Sequence, residues 1–215
     1  MKKPFIYVLM VLAGMIAGAL MASALFVLAG FSLFGVKDKN MPPDGDADPA
    51  GLTAAAYTIL EYIKDEDYAA LSRVAHPDLG IVFSPYATVT LSANKCFSAA
   101  QIAAFGSDKN KYVWGVFDGS GEPIEMTPAE YFAKFVYRKC YSSAPLIGVN
   151  TIVRSGNALE NITEVFPDIQ FVEFHIPGAE GSPTVDFEWC SLRLGFTEYN
   201  GKLWLTVITH SEWTT

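Results

Sequence analysis

Phe187–Trp213 reads FEWCSLRLGFTEYNGKLWLTVITHSEW, two long runs of strand-forming residues on either side of an Asn200-Gly201 pair. Asn and Gly tolerate the positive φ angles that a two-residue hairpin turn requires, so the pair predicts a β-hairpin. A two-stranded hairpin is at best marginally stable alone in water. The stretch therefore predicts the centre of a curved sheet that other elements cover.

A third strand is predicted just before the hairpin, at 168–176 (DIQFVEFHI). Side chains two residues apart in a strand lie on the same face, so Glu173 and His175 share one face. If the strands pair in chain order, polar side chains from three strands converge there. The predicted ligand pocket consists of Glu173, His175, Arg193, Trp204 and His210, with Glu212 on the same face as His210.

Two interpretations of these polar side chains stay open. One is a small-molecule pocket in which His175 or His210 performs acid–base chemistry with Glu173. The other is that Glu173 and Arg193 satisfy each other across neighbouring strands, while the histidines belong to the core or its rim. The strand register decides between them, because a slip of one residue moves every side chain to the other face.

Helices are predicted ahead of these strands, at 52–64 and 68–75, and the second ends where His76-Pro77 disfavours helical backbone. Helices first and mostly antiparallel strands later predict an α+β fold, in which a helical hairpin packs on one face of a curved sheet. Shorter elements are predicted between them: strands at 80–86, 87–91, 112–117 and 147–153, and helices at 99–105 and 127–137.

Residues 5–34 are uncharged and strongly apolar. About 20 apolar residues cross a bilayer as a helix, so this segment predicts a transmembrane signal-anchor and a membrane partner. Lys2 and Lys3 before it predict a single-pass protein of the cell membrane with its C-terminal domain outside the cytoplasm. The alternative is a signal peptide cleaved at Ala22-Ser23-Ala24. The predicted domains are the anchor (1–36), a flexible linker (37–51) and an extracytoplasmic domain (52–215).

Three small residues in the apolar segment, Gly14, Gly18 and Ala22, recur every four positions. Small residues at this spacing let two transmembrane helices approach closely, which predicts a homodimer. The alternative is that Gly and Ala are simply frequent in such helices.

Charge and motifs exclude several classes of partner. The formal net charge of −8 is unfavourable for nucleic-acid binding, which needs lysine and arginine to neutralise phosphates. The sequence has no phosphate-binding or dinucleotide-binding motif and no close metal-ligand spacing, so no cofactor and no metal are predicted. Asp118–Glu122 resembles the start of a calcium loop, but Pro123 occupies the position that requires glycine.

The three cysteines are Cys96, Cys140 and Cys190. In an exterior compartment this odd number leaves open one disulfide and one free thiol. Cys190 lies among apolar strand residues, which favours a buried thiol.

The order of elements over residues 52–215 resembles the nuclear transport factor 2-like (cystatin-like, α+β cone) fold. Several phrases are also similar to an uncharacterised group of bacterial envelope proteins; they are His76-Pro77, Phe83–Tyr86, Trp114-Gly115, Asp118–Ile124, Phe171–His175 and Trp204–Thr214. The resemblance implies the cone fold and the extracytoplasmic compartment. Relatives of this fold include isomerases and dehydratases, which would here use His175 or His210 with Glu173.

Three functions are therefore compatible with the sequence. The first is a membrane-anchored, non-enzymatic module that binds a small ligand or a partner. The second, an alternative to this binding module, is an isomerase-like or dehydratase-like enzyme with a His–carboxylate pair in the pocket. The third is a structural envelope protein whose pocket is filled by its own aromatic side chains, which is consistent with 15 Phe, 10 Tyr and 4 Trp.

Overall fold

Two helices begin the part of the chain that the structure, a computed structural model, describes, which is residues 48–214. Helix α1 (Pro49–Lys64) starts three residues earlier than predicted, inside the expected linker, because Asp48 accepts a hydrogen bond from Gly51 N at 2.8 Å. Helix α2 (Tyr68–Val74) starts after Asp67, which caps Ala70 N in the same way. Both predicted helices are thus confirmed.

Six strands form the main sheet, in the order β2-β1-β8-β7-β6-β5. Strands β5 to β8 pair antiparallel in chain order, whereas β1 runs parallel to β8. The strands of this sheet are β1 (Ile81–Ser84), β2 (Lys95–Phe97), β5 (Leu146–Val149), β6 (Gln170–Ile176), β7 (Cys190–Tyr199) and β8 (Lys202–Glu212).

The predicted fold class is correct only in being α+β. The sheet is mixed, since β1 and β8 are parallel neighbours. Within residues 48–214, no helix has both the length and the hydrophobicity needed to cross a membrane. The anchor predicted at 5–34 and the dimer motif at Gly14, Gly18 and Ala22 lie outside the described residues, so the membrane location stays a prediction.

Smaller elements connect the strands. A separate antiparallel pair consists of β3 (Tyr112–Val116) and β4 (Pro123–Met126), of which β4 was not predicted. Residues 87–91, predicted as extended, form no strand, and β2 follows them instead. The helical elements are α3 (Ala99–Ala103), α4 (Pro128–Tyr131) with a π-helical turn (Phe132–Val136), α5 (Ile162–Val165), and single 3-10 turns at Tyr141–Ser143 and Val185–Phe187.

The inner face of the main sheet, defined here as the face towards α1 and α2, is filled by aromatic side chains. Tyr57 of α1 contacts Phe174 of β6 with ring centroids 5.2 Å apart. Trp114 and Tyr131 stack at 3.8 Å with nearly parallel planes, and Phe83 meets Trp114 edge-on at 5.5 Å. This packing leaves the space between helices and sheet occupied by the protein's own rings.

A bulge divides β8 into two registers. Gly195 pairs with Val207, but its neighbour Phe196 pairs with Leu205, so Thr206 is the extra residue. An extra residue reverses which face the following side chains take. From the turn to Leu205, the side chains of β8 therefore take the faces that strict alternation along the strand predicts. Beyond Thr206, each side chain lies on the opposite face to the predicted one.

Gly80 and Gly121 have the same φ of +71°. Replacing each by alanine therefore separates the cost of a steric clash from the cost of backbone strain. A Cβ at Gly80 would lie 2.2 Å from the Phe97 carbonyl oxygen, whereas one at Gly121 meets no described atom within 4 Å. We expect Gly121→Ala to cost about 1–2 kcal/mol from positive φ alone. Gly80→Ala should cost about 1–3 kcal/mol more from the clash. Urea unfolding of both variants measures this difference, and equal losses would contradict the β1–β2 packing.

Candidate functional site

The outer face of the main sheet, opposite the helices, is covered by residues 150–169, called the covering segment below. At one end of this face, Val82, Phe171 and Val207 pack against apolar side chains of the segment, among them Ile162 and Ile169. At the other end, the face is polar and equally buried. The covering segment therefore closes the face on which the ligand pocket was predicted.

A row of polar residues crosses the covered face. Glu173, Arg193, Thr209 and Ser84 are direct neighbours on β6, β7, β8 and β1. Their relative exposures are all 1% or less. Glu173 and Arg193 thus share a face and lie opposite each other on neighbouring strands, as in the second of the two interpretations.

Arg193 lies between two carboxylates. Its Nη2 is 2.8 Å from Glu173 Oε2, and its Nη1 is 2.8 Å from Oε2 of Glu160 in the covering segment. Burial would lower the pKa of Arg193, but the charges of Glu173 and Glu160 raise it, so the guanidinium stays charged. The second oxygen of each carboxylate and the Thr209 hydroxyl are buried without a hydrogen-bond partner in the part described.

His175 lies beside this row but points to a hydroxyl. Its Nδ1 is 2.9 Å from Ser191 Oγ, and its ring centroid is 5.6 Å from that of Trp189. Burial lowers the pKa of His175, against a smaller raising effect of Glu173. Only 3% exposed, this histidine does not form a His–carboxylate pair at an open cavity.

His210 lies on the inner face, because the bulge at Thr206 reverses the register before it. Its predicted convergence with Glu173 is therefore wrong. His210 Nε2 is 3.5 Å from Glu212 Oε2, and Arg138 also pairs with Glu212. Although burial would raise the pKa of Glu212, the contacts with His210 and Arg138 lower it below its ordinary value.

Trp204 occupies the outer face but at the turn end of the hairpin. It pairs with Thr197, and its indole donates to the Tyr199 carbonyl at 3.1 Å. The structure thus brings Glu173, Arg193 and His175 together, while Trp204 and His210 lie elsewhere.

An open groove of about 520 Å³ lies at the edge of the covered face. Three segments that are distant in sequence meet there: the loop after β1, the β3–β4 turn and the covering segment at Asn157 and Ala158. Its volume falls in the range of about 300–1,000 Å³ that is typical of ligand sites. The lining residues are Ser84, Pro85, Tyr86, Thr88, Thr90, Ala93, Asn94, Gly115, Val116, Phe117, Asp118, Gly119, Gly121, Asn157 and Ala158.

Side-chain bonds between these segments hold the groove walls together. Asn161 of the covering segment accepts from Val89 N at 2.8 Å and donates to Val89 O at 3.0 Å. The Thr88 hydroxyl donates to the Leu159 carbonyl at 2.8 Å. Because Glu160 lies between these contacts and binds Arg193, the wall at 157–161 is fixed both to the loop and to the sheet.

The C-terminal end of the described chain joins two walls of the groove. Asn157 Nδ2 donates to the Thr214 carbonyl at 2.7 Å, and Thr214 N donates back to Asn157 Oδ1 at 3.1 Å. The Thr214 hydroxyl also contacts the Asp118 carboxylate. Through Thr214, the wall at Asn157 and the wall at Asp118 are therefore joined by hydrogen bonds.

Metal chemistry has little geometric support in the described part of the chain, whereas the thiols differ: hydrogen bonds with Ser142, Ser143 and Tyr137 lower the pKa of exposed Cys140 to about 7. No group of three or more His, Cys, Asp or Glu side chains among residues 48–214 is arranged to hold a metal ion. Cys96, Cys140 and Cys190 are free thiols, with Cys190 buried as predicted. Burial raises the pKa of Cys190, which disfavours its thiolate.

Comparison with known proteins gives no relative: no model of a protein family matches the chain, and neither characterised proteins nor solved structures match it. The resemblance to the nuclear transport factor 2-like fold therefore stays a prediction.

Sequence reasoning missed the groove and Glu160. Both depend on loops, and the only local signals were turn phrases, Ser84-Pro85-Tyr86 and Asp118–Gly121. A turn signal predicts that the chain reverses but not what the turn meets.

The buried ion cluster gives a test of what holds the covering segment. Arg193→Met leaves two buried carboxylates without their partner, so we expect it to lower the free energy of unfolding by about 3–5 kcal/mol. Adding Glu173→Met and Glu160→Met removes those charges, and most of the stability should return. Chemical denaturation of the single and triple variants measures both effects. A triple variant no more stable than Arg193→Met would contradict this account.

Because burial lowers the pKa of His175, the unfolded chain takes up a proton at this residue before the folded protein does. Proton uptake then favours unfolding, so stability should fall as the pH drops below about 6.5. His175→Gln should reduce this loss but not abolish it, since burial also lowers the pKa of His76. Denaturant unfolding between pH 7 and pH 5 measures the difference, and identical pH profiles would contradict the assignment.

Proposed function

We propose that the domain is a binding module for a small molecule, and that its site is the groove around Tyr86, Asn94 and Asp118. The observation that carries the proposal is a groove of about 520 Å³ whose walls are joined by hydrogen bonds of Asn157, Asn161 and Thr88. A formed site avoids the cost of ordering loops on binding.

The groove combines apolar and hydrogen-bonding surfaces, as ligand sites do. Pro85, Val116 and Phe117 supply apolar walls, while Tyr86 and Asn94 supply polar groups. Loops on a rigid scaffold commonly carry binding sites, and here the scaffold is the sheet together with the anchored covering segment.

The enzyme alternative has weaker geometric support. Glu173 and His175 are buried under the covering segment, and His210 is on the other face. None of the three lines the groove. General acid–base catalysis needs the group within hydrogen-bond reach of a substrate, and no observation favours that for these side chains.

A thermal-shift screen of small molecules on the full-length chain tests the proposal. A ligand at about 100 times its Kd should raise Tm by about 5–10 °C. Ala93 is exposed and lines the groove, so Ala93→Trp should block the site and abolish the shift.

The matched control is Ala69→Trp, which places the same ring on an exposed position of α2 outside the groove. Ligands should shift this variant as they shift the wild type. Ligands that bind Ala93→Trp equally well, or a screen without any binder, would overturn the proposed function.

A further inference from the structure

We infer that the groove takes a neutral, hydroxyl-rich ligand of the sugar or polyol class. This inference rests on the proposed function and names the ligand class of the same site. It follows from the donors and acceptors that groups of the groove keep available beside their protein contacts, and from the charge of its lining.

The charge of the lining disfavours anions. The described residues that line the groove include no lysine or arginine, and they include one carboxylate, Asp118. An anionic ligand would therefore meet a like charge without a compensating cation. Lys134 Nζ lies 4.5 Å from the ring centroid of Phe117, but this lysine lines a different pocket.

Two groups in the groove have hydrogens to donate. Asn94 uses its Oδ1 to accept from Thr90 N at 2.6 Å, so its amide nitrogen can serve a ligand. The Tyr86 hydroxyl accepts from Asp118 N at 3.3 Å and keeps its own proton. Burial raises the pKa of Tyr86, so this hydroxyl stays protonated at neutral pH.

Acceptors lie beside these donors. Asp118 accepts from Gly119 N and from the Thr214 hydroxyl, which leaves further lone-pair positions on its carboxylate. The Thr88 hydroxyl, whose hydrogen goes to the Leu159 carbonyl, can accept as well.

A hydroxyl both donates and accepts, so it fits this mixture of groups. An ammonium group has no acceptor and would leave Asn94 and Tyr86 without a partner. A carboxylate has no donor and would leave Asp118 without one. A sugar ring also has apolar C–H faces, which match the walls formed by Pro85 and Val116.

The test uses three probes with the same ring and different charge: glucose, glucuronate and glucosamine, with galactose and maltose extending the neutral set. Binding to the full-length chain is measured by NMR titration at neutral pH. We expect a neutral member of the set to bind, and glucuronate to bind at least about ten-fold more weakly, since it loses hydrogen bonds and gains repulsion.

Tyr86→Phe keeps the ring and removes the donor, so it should weaken binding of the neutral probe by about 3- to 10-fold. Tyr112→Phe removes a hydroxyl that bonds Asp108 outside the groove, and should leave binding unchanged. A reduced affinity in Tyr86→Phe alone supports the inference. Equal affinities of both variants would overturn it.

The outcomes separate the ligand class from the proposed function. Binding of glucuronate or glucosamine alone, blocked by Ala93→Trp, would overturn the ligand class and leave the groove as a binding site. The same holds if none of the sugars binds while screened compounds do so in an Ala93-dependent way. If neither sugars nor screened compounds bind, both proposals fail.

Discussion

The pairing of Arg193 with Glu173 and Glu160 connects the two layers on the outer face. A buried guanidinium without carboxylate partners would be strongly unfavourable, so the sheet and the covering segment must meet at this residue. Asn161 and Leu159, next to Glu160, then reach the loop after β1. One wall of the groove is therefore positioned by an interaction inside the domain.

The inner face explains why the groove lies at the edge of the sheet and not between helices and sheet. Rings such as Phe83, Trp114 and Tyr131 fill that space at close contact. Protein interiors packed in this way contain few voids larger than a water molecule. Space for a ligand remains where loops meet. There, hydrogen bonds of Asn157, Thr88 and Asn161 hold the loops in place, since no packed core does so.

The candidate site was predictable only in part. Glu173, His175 and Arg193 lie on one face, as strict alternation requires. His210 and Glu212 do not, because Thr206 adds a residue that no local pattern revealed. Glu160 was not predicted as part of the site, since its partner Arg193 lies 33 residues away in sequence. The groove itself combines residues from three loops and has no sequence motif.

By itself, the sequence determined the local structure: the caps at Asp67 and Thr127, the Asn200-Gly201 turn and the long strands that it joins. These features depend on residues within a few positions of one another, so their chemistry is visible in the chain. Tertiary structure alone decided that β1 runs parallel to β8, that the inner face is full and that a groove forms around Tyr86. Such features arise from contacts between segments that are distant in sequence. Their stability depends on the free energy of the whole packed arrangement, which no single stretch of sequence shows.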